Sequence, residues 1–363
     1  MNAFIQWFLL PAVYGVTLLM ILLGCVAYIT LLERKVQAWM QCRPGPNRVG
    51  WRGLLQPIAD VLKLLLKEDI IPRKADKIVF VLAPMMVALA AIGALAVVPF
   101  GGADATLRLG DFTLKPVLAD VNIGIVYVMA VSSLGAFGIV LGGWSSNSKY
   151  PLLGGLRSAA QMISYEVPFG LAIIGPMMIA GTASMTKIVS WQTEHTWLFW
   201  LQPLALVMFY ISGVAENNRA PFDLPEGESE LVGGFHTEYS GMKWAFFFLG
   251  EYISMIVVAS MVVTLFFGGW APVTFGLGYV FKDLPAILAG GSAPAVVHFL
   301  LGMAWFALKV FFVLYVHLWI RATFPRYRYD QLMAIGWKYM IPLALGWIML
   351  TGAAVLIFDA AKA

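Results

Sequence analysis

Eight apolar runs, each about 20 residues and so long enough to cross a bilayer, divide this chain at roughly 8–31, 78–99, 120–143, 158–180, 198–216, 244–268, 297–318 and 338–358. The first run lacks a basic leader and a small-residue cleavage site, and it is too long for the apolar core of a secretory signal, so it is expected to stay as a helix. One connecting stretch has a period of its own. From Leu54 to Glu68 the apolar Leu54, Ile58, Val61, Leu62 and Leu65 recur at helical spacing, with Gln56, Asp60, Lys63 and Lys67 on the other side. The pattern predicts an amphipathic helix over 54–68 lying along the membrane surface. Pro57 then falls in its first turn, where a missing N–H costs little. Upstream, Arg43-Pro44-Gly45-Pro46-Asn47-Arg48-Val49-Gly50 reads as a rigid turn. Two readings of this region stay open: a surface anchor with a solvated stripe, or the border of a site open to lipid, with Asp60 and the Glu33-Arg34-Lys35 cluster at its mouth.

Composition turns the runs into a fold class. A 60% hydrophobic fraction, 12% charged residues and a mean hydropathy of +0.81 lie far from soluble domains, which are about half apolar and a quarter charged. The chain is read as an all-α polytopic membrane protein of about eight transmembrane helices, plus the surface helix and an acidic loop, forming a single integral membrane domain over 1–363. Connections that would share a side with the 33–77 loop carry 18 Lys and Arg, the others four. The positive-inside rule places the 33–77 and 216–243 loops in the cytoplasm and both termini outside. The net charge of +4 is that topogenic signal and implies no nucleic-acid partner. Two cysteines, Cys25 and Cys42, and four histidines form no metal-ligating spacing, and no phosphate-binding or dinucleotide motif occurs. No metal, no bound cofactor and no complete catalytic set is therefore expected in this chain alone; any electrons must arrive through another subunit.

Charge at the wrong places carries the remaining signal. Glu216, Asp223, Glu226, Glu228, Glu230 and Glu238 crowd the loop between Glu216 and Lys243, interrupted by Pro221 and Pro225 and followed by apolar Leu231-Val232-Gly233-Gly234-Phe235. The loop is expected to fold back on the membrane domain and line a wet acidic cavity. Crowded carboxylates cannot all ionise, so they should titrate as a coupled group, which suits a proton relay. Glu166, about 13–14 Å along a helix from Arg157, and Glu251 fall at membrane depth, as do Lys309 and His317 on the seventh run. Each must face another polar group, water or a ligand. A buried pair of Glu166 or Glu251 with Arg or Tyr is the plain alternative to a relay role, and Lys309 and His317 fit helix packing as well.

Several segments together resemble one known family. Glu216-Asn217-Asn218-Arg219-Ala220-Pro221-Phe222-Asp223-Leu224-Pro225-Glu226-Gly227-Glu228-Ser229-Glu230, continuing through His236-Thr237-Glu238-Tyr239 to Gly250-Glu251-Tyr252, is similar to the H-type membrane subunits of respiratory complex I. So are Glu33-Arg34-Lys35-Val36, Gly53 to Asp60, Leu156 to Pro168, and Arg321-Ala322-Thr323-Phe324-Pro325-Arg326-Tyr327-Arg328-Tyr329-Asp330-Gln331-Leu332. The resemblance spans roughly 30–340. Asn217 stands where the family often has Thr, and the 271–296 loop is longer and apolar.

The resemblance implies a subunit of the bacterial inner membrane that joins the hydrophilic iron–sulfur redox arm to antiporter-like and small membrane subunits. It further implies that the chain forms much of a tunnel for quinone as substrate, with FMN and iron–sulfur clusters held by partner subunits. By that likeness Glu33, Arg34, Asp60 and Arg321 line the tunnel. Glu166, Glu216, Asp223, Glu226, Glu228 and Glu251 form the acidic path. Arg326, Tyr327 and Arg328 dock the redox arm, although topogenic charge with interfacial aromatics explains those three equally well. Two further classes remain: the homologous subunit of an energy-converting hydrogenase or ferredoxin-linked dehydrogenase, and a stand-alone proton or cation transporter. Against the transporter, no internal repeat is found.

Overall fold

The computed structural model describes residues 10–102, 107–109, 112–225, 227, 231–273 and 295–362. Among them, seven helices are long and apolar enough to cross a membrane. These are α1 (Leu10–Met40), α3 (Lys77–Leu95), α4 (Gly124–Ser145), α5 (Lys149–Ala180), α9 (Gly241–Phe266), α10 (Ala295–Thr323) and the pair α11 (Tyr329–Ala334) and α12 (Ile341–Lys362), joined through a π turn at Ile335–Met340. The shorter elements are α2 (Gln56–Leu66), α6 (Met185–Glu194), α7 (Leu198–Leu201) and α8 (Pro203–Glu216).

The run at 198–216 differs from the reading of one continuous span. Gln202, with non-helical φ −130° and ψ 47°, separates α7 from α8, because the residue before a proline is pushed out of the helical region and Pro203 follows it. The remaining 14 residues of α8 extend about 21 Å, short of the roughly 30 Å hydrocarbon core. The buried Gln202 side chain is held by α12: its Nε2 donates to Thr351 Oγ1 at 3.0 Å and its Oε1 accepts from Trp347 Nε1 at 2.5 Å. A second difference is a small antiparallel ribbon between α3 and α4, Leu107–Leu109 against Phe112–Leu114, with Arg108 opposite Thr113. Strands of three residues are too short for a period of two to stand out in a sequence.

The core lies around α9, whose apolar window is 67% buried, against 17% for α1 and 11% for the last span. Helix α3 is packed between α4 and α9, and α5 between α4 and α8. Small residues permit these approaches in the way expected where packing rather than hydrophobic transfer drives helix association. A Cβ at Gly138 of α4 would sit 2.9 Å from the Ala83 carbonyl and 2.6 Å from a Val87 methyl of α3. Tyr165, Phe209, Ile253 and Phe266 are wholly buried at the centre. Helix α3 begins at Asp76, whose carboxylate accepts from the amides of Ile78 at 3.2 Å and Val79 at 3.4 Å, satisfying two donors that a helix start leaves open. Helix α2 starts two residues later than the expected 54, with Pro57 in its first turn, and leaves Ile58, Val61, Leu62, Leu65 and Leu66 exposed.

Candidate functional site

Two carboxylates and two guanidiniums meet where α1, α9, α10 and the chain after α8 converge. Glu33 of α1 is 5% exposed. It is paired with Arg321 of α10 and, at 3.3 Å to each oxygen, with Arg219 Nη1. The Tyr252 hydroxyl of α9 donates to Glu33 Oε2 at 2.7 Å. The Nε of Arg219 pairs with Glu251 of α9, and its guanidinium lies 4.4 Å over the Tyr252 ring. Arg219 is 3% exposed, and a charge removed from water to that extent requires compensation. Here the four formal charges cancel.

Toward the outside of the bundle, this cluster continues into the connection between α1 and α2. Arg34 Nη1 pairs with Asp60 Oδ2 at 2.6 Å, and Gln56 Nε2 donates to Asp60 Oδ1 at 3.0 Å. The Pro- and Gly-rich turn is held against α1 by Lys35 Nζ, which donates to the Arg52 carbonyl at 2.7 Å. Gly53 is obligatory there: its φ is +81°, and a Cβ would lie 2.1 Å from the Pro46 carbonyl. Arg34, Arg43, Arg48 and Gln56 line an open basic pocket in this turn.

Toward the inside, Glu251 also lines a cavity of about 70 Å³ together with Glu216, Asn217, Asn218, Ser132 and His236. That volume holds several waters, since one needs about 10–15 Å³ on this scale. Glu216 Oε2 is buried without a hydrogen-bond partner among the described residues. Next to Ser132 on α4, Ser133 donates to Glu166 Oε1 of α5. Glu251, Glu216 and Glu166 thus follow one another across α9, α8 and α5, with serines of α4 between the last two. Burial pushes the His236 imidazole down to about 4, so at neutral pH this cavity wall carries no positive charge from it.

The acidic segment folds onto the bundle. Asp223 pairs with Arg326 at 3.0 Å, Phe222 stacks on Tyr327 with ring centroids 5.5 Å apart, and the Tyr327 amide donates to the Pro221 carbonyl at 3.1 Å. Gln161 Nε2 of α5 donates to the carbonyls of Ala215 at 2.8 Å and Phe222 at 2.7 Å. Arg326 and Tyr327 are therefore engaged within the chain, while Arg328 is exposed beside Asp330 at 3.5 Å. Glu226, Glu228 and Glu230, and most of the 271–296 loop, lie outside the described residues.

Of the residues singled out in the sequence, Glu33, Arg321 and Glu251 share one cluster, Arg34 and Asp60 form its neighbour, Glu216 lines the cavity, and Glu166 is bonded to Ser133 next to the lining Ser132. For Glu251 the plain alternative of a buried pair with Arg is also what the structure contains. Lys309 does not join this set: its ammonium donates to the carbonyls of Phe267 at 2.7 Å, Gly269 at 3.0 Å and Ala271 at 2.7 Å, capping the end of α9. The residues missed are Arg219, Tyr252, Ser132, Ser133 and His236. Arg219 had a usable signal, being a lone cation wedged between Glu216 and Asp223 in a segment with apolar and proline neighbours; the serines had none.

The pattern of the family described as NADH dehydrogenase matches residues 13–352. One of the NADH-quinone oxidoreductase H subunits of Geobacter sulfurreducens is 47% identical over 365 residues, covering 96% of this chain and 98% of that protein. One of those of Geobacter metallireducens is 48% identical, covering 91% of each chain, and the H subunit of Bacillus thuringiensis is 49% identical, covering 93% of this chain and 91% of its own. Likeness of this extent reaches every element of the charged cluster and the cavity, and the chain belongs to the NADH dehydrogenase family, beside relatives that are H subunits of NADH-quinone oxidoreductase.

Proposed function

We propose that this chain, a membrane subunit of NADH-quinone oxidoreductase, forms the quinone tunnel together with the redox arm and passes the effect of quinone reduction along a chain of carboxylates to proton-translocating subunits. One observation carries the reading: Glu251 belongs to both the Glu33–Arg219–Arg321 cluster and the cavity that holds Glu216. A quinone, a polar head on a long apolar tail, needs a lipid-side portal and a few polar groups inside. The exposed apolar residues of α2 beside the Arg34–Asp60 pair suit that portal.

Reduction of the quinone takes two electrons and two protons. The electrons come from iron–sulfur groups of the hydrophilic arm, in which the FMN also resides. Before the protons arrive, negative charge sits next to a cluster whose own charges cancel. It draws on Arg321 and Arg219 and favours proton uptake by their carboxylate partners. Once Glu251 holds a proton, its hold on Arg219 weakens, and a proton can move through cavity water toward Glu216 and Glu166. Asp223, Glu226 and Glu228 belong to the same acidic path, and Arg326, Tyr327 and Arg328 dock the redox arm, the first two also holding the acidic segment through Asp223 and Phe222. The 33–77 and 216–243 loops face the cytoplasm of a bacterial cell, where the redox arm sits, and antiporter-like and small subunits pack laterally.

The test is gentle purification through a tag on this chain, with identification of the co-purifying proteins and a quinone reductase assay. The account expects flavin and iron–sulfur subunits and inhibitor-sensitive quinone reduction. Recovery of a nickel–iron hydrogenase module, or of the chain alone, would overturn it.

A further inference from the structure

The turn between α1 and α2 holds a pocket that the path of carboxylates does not use. Its volume is about 490 Å³, against about 70 Å³ for the cavity at Glu216. Arg34, Arg43 and Arg48 line it with Gln37, Asn47 and Gln56, and no acidic residue does. Asp60 neutralises Arg34 from outside the lining, whereas Arg43 and Arg48 pair with no carboxylate among the described residues. Backbone contacts set the walls. The Arg43 amide donates to the Ala38 carbonyl at 2.9 Å and the Leu55 amide to the Val49 carbonyl at 3.2 Å. Gly45 packs so closely on α1 that a Cβ would lie 3.1 Å from the Lys35 Cα, and Pro44 and Pro46 fix φ on each side of it. A ligand entering such a turn spends little free energy on ordering it.

Two uncompensated guanidiniums on a preformed turn suit an anion whose oxygens accept paired N–H donors, a carboxylate or a phosphate. The surroundings choose between them. Helix α1 is apolar enough to cross a membrane, and its 31 residues extend about 46 Å, close to the roughly 40–45 Å of a bilayer with its headgroups. Arg43 follows the end of that helix by three residues, which sets the pocket at headgroup level. The chain on both sides of it is apolar and exposed, with Trp39 and Met40 closing α1 and Trp51, Leu54 and Leu55 leading into α2. Tryptophan at that level marks a membrane–water boundary. An acidic peptide in the pocket would leave this rim in water, whereas a lipid covers it with its acyl chains. We propose that the pocket binds the phosphodiester of an anionic phospholipid, with Arg43 and Arg48 donating to the phosphate oxygens and the chains lying against Trp39, Met40 and Leu55. A zwitterionic headgroup brings a cation that the arginines repel, so the site selects a lipid such as phosphatidylglycerol. Pocket, charge and rim carry this site, and it does not depend on the quinone reading.

The experiment places the assembled complex in phosphatidylcholine nanodiscs with a rising fraction of photoreactive phosphatidylglycerol and maps the labelled peptides. Labelling within residues 37–56 should saturate. Removing one arginine, by Arg43→Gln or Arg48→Gln, should raise the half-saturating fraction about fivefold, and removing both about 25-fold, the loss expected for charges beside an anionic headgroup. Arg73→Gln removes an exposed cation of the same loop outside the pocket and should change nothing. Arg43→Lys with Arg48→Lys keeps the charge and loses the paired donors, so it should fall between wild type and the double glutamine variant; it also serves if that variant fails to assemble. Photoreactive phosphatidylcholine should not label saturably, and an equal concentration of inorganic phosphate should not displace the lipid. The proposal is overturned if the arginine variants bind like wild type, or if Arg73→Gln weakens binding as much as they do. Displacement by inorganic phosphate, or density for an acidic segment of a partner subunit filling the pocket in the complex, overturns it as well.

Discussion

Replacing Arg219 by leucine removes the guanidinium that Glu33 and Glu251 share. In the native cluster two carboxylates face two guanidiniums, with Arg219 3% exposed and the Glu33 and Glu251 side chains 6% and 15% exposed. Glu33 keeps Arg321 and the Tyr252 hydroxyl. Glu251 loses its ion pair and is left as an uncompensated charge in a mostly apolar wall, a change that typically costs about 3–5 kcal/mol. That corresponds to roughly a hundred- to several-thousandfold in the opening equilibrium of the region, at 1.4 kcal/mol per factor of ten. Adding Glu251→Gln restores neutrality, because the remaining pair is Glu33 with Arg321, and should recover most of the loss. The assay is a double-mutant cycle on the purified complex, with subunit retention and thermal midpoint as readouts. The reasoning is refuted if Arg219→Leu alone matches wild type, or if the double variant is as unstable as the sum of the two singles.

Three further outcomes follow from local geometry. Gly138→Ala sets a Cβ 2.9 Å from the Ala83 carbonyl and 2.6 Å from Val87, so it should cost about 1–3 kcal/mol and lower the amount of complex in membranes, whereas Gly15→Ala, with nothing within 4 Å, should not. His236 is held near 4 by burial, below its ordinary value near 6.5, so its contribution is present above pH 6.5 and is lost as pH falls toward 4. The loss is on the order of 3 kcal/mol at most, and His236→Asn should flatten the thermal midpoint between pH 7.5 and 5. Tyr327→Ala removes the stack on Phe222, worth about 0.5–1.5 kcal/mol, and should raise amide exchange at 219–225 several-fold.

The rough positions of seven of the eight expected spans were readable because about 20 apolar residues in a row admit few other folds. The break at Gln202 was hidden inside one such run, since hydropathy does not register a single buried glutamine whose partners, Thr351 and Trp347, lie some 150 positions away. For the site, carboxylates at membrane depth announced themselves by their cost, and Glu166 and Glu251 were found on that ground, whereas Glu33 stood out only through the charged cluster with Arg34 and Lys35 and the family resemblance. Their partners were less legible. Arg219 looked like loop charge because its burial depends on how the acidic segment folds across α5, through Gln161 and the carbonyls of Ala215 and Phe222. Arg326 and Tyr327 gave no sign in the sequence of their partners within the chain, Asp223 and Phe222. Sequence periodicity reports which side of a helix is apolar, and pairing across 100 or more residues leaves no trace in it.

The most direct test of the account is proton pumping by the assembled complex carrying Glu216→Gln in sealed liposomes, measured beside its rate of quinone reduction and against an assembly control. Glu216 lines the cavity that Glu251 shares with the charged cluster, and its Oε2 has no other partner among the described residues. The account predicts that protons moved per electron fall sharply in an intact complex that still binds quinone. Full pumping at the wild-type ratio would contradict the claim that the charge of quinone reduction leaves through this cavity.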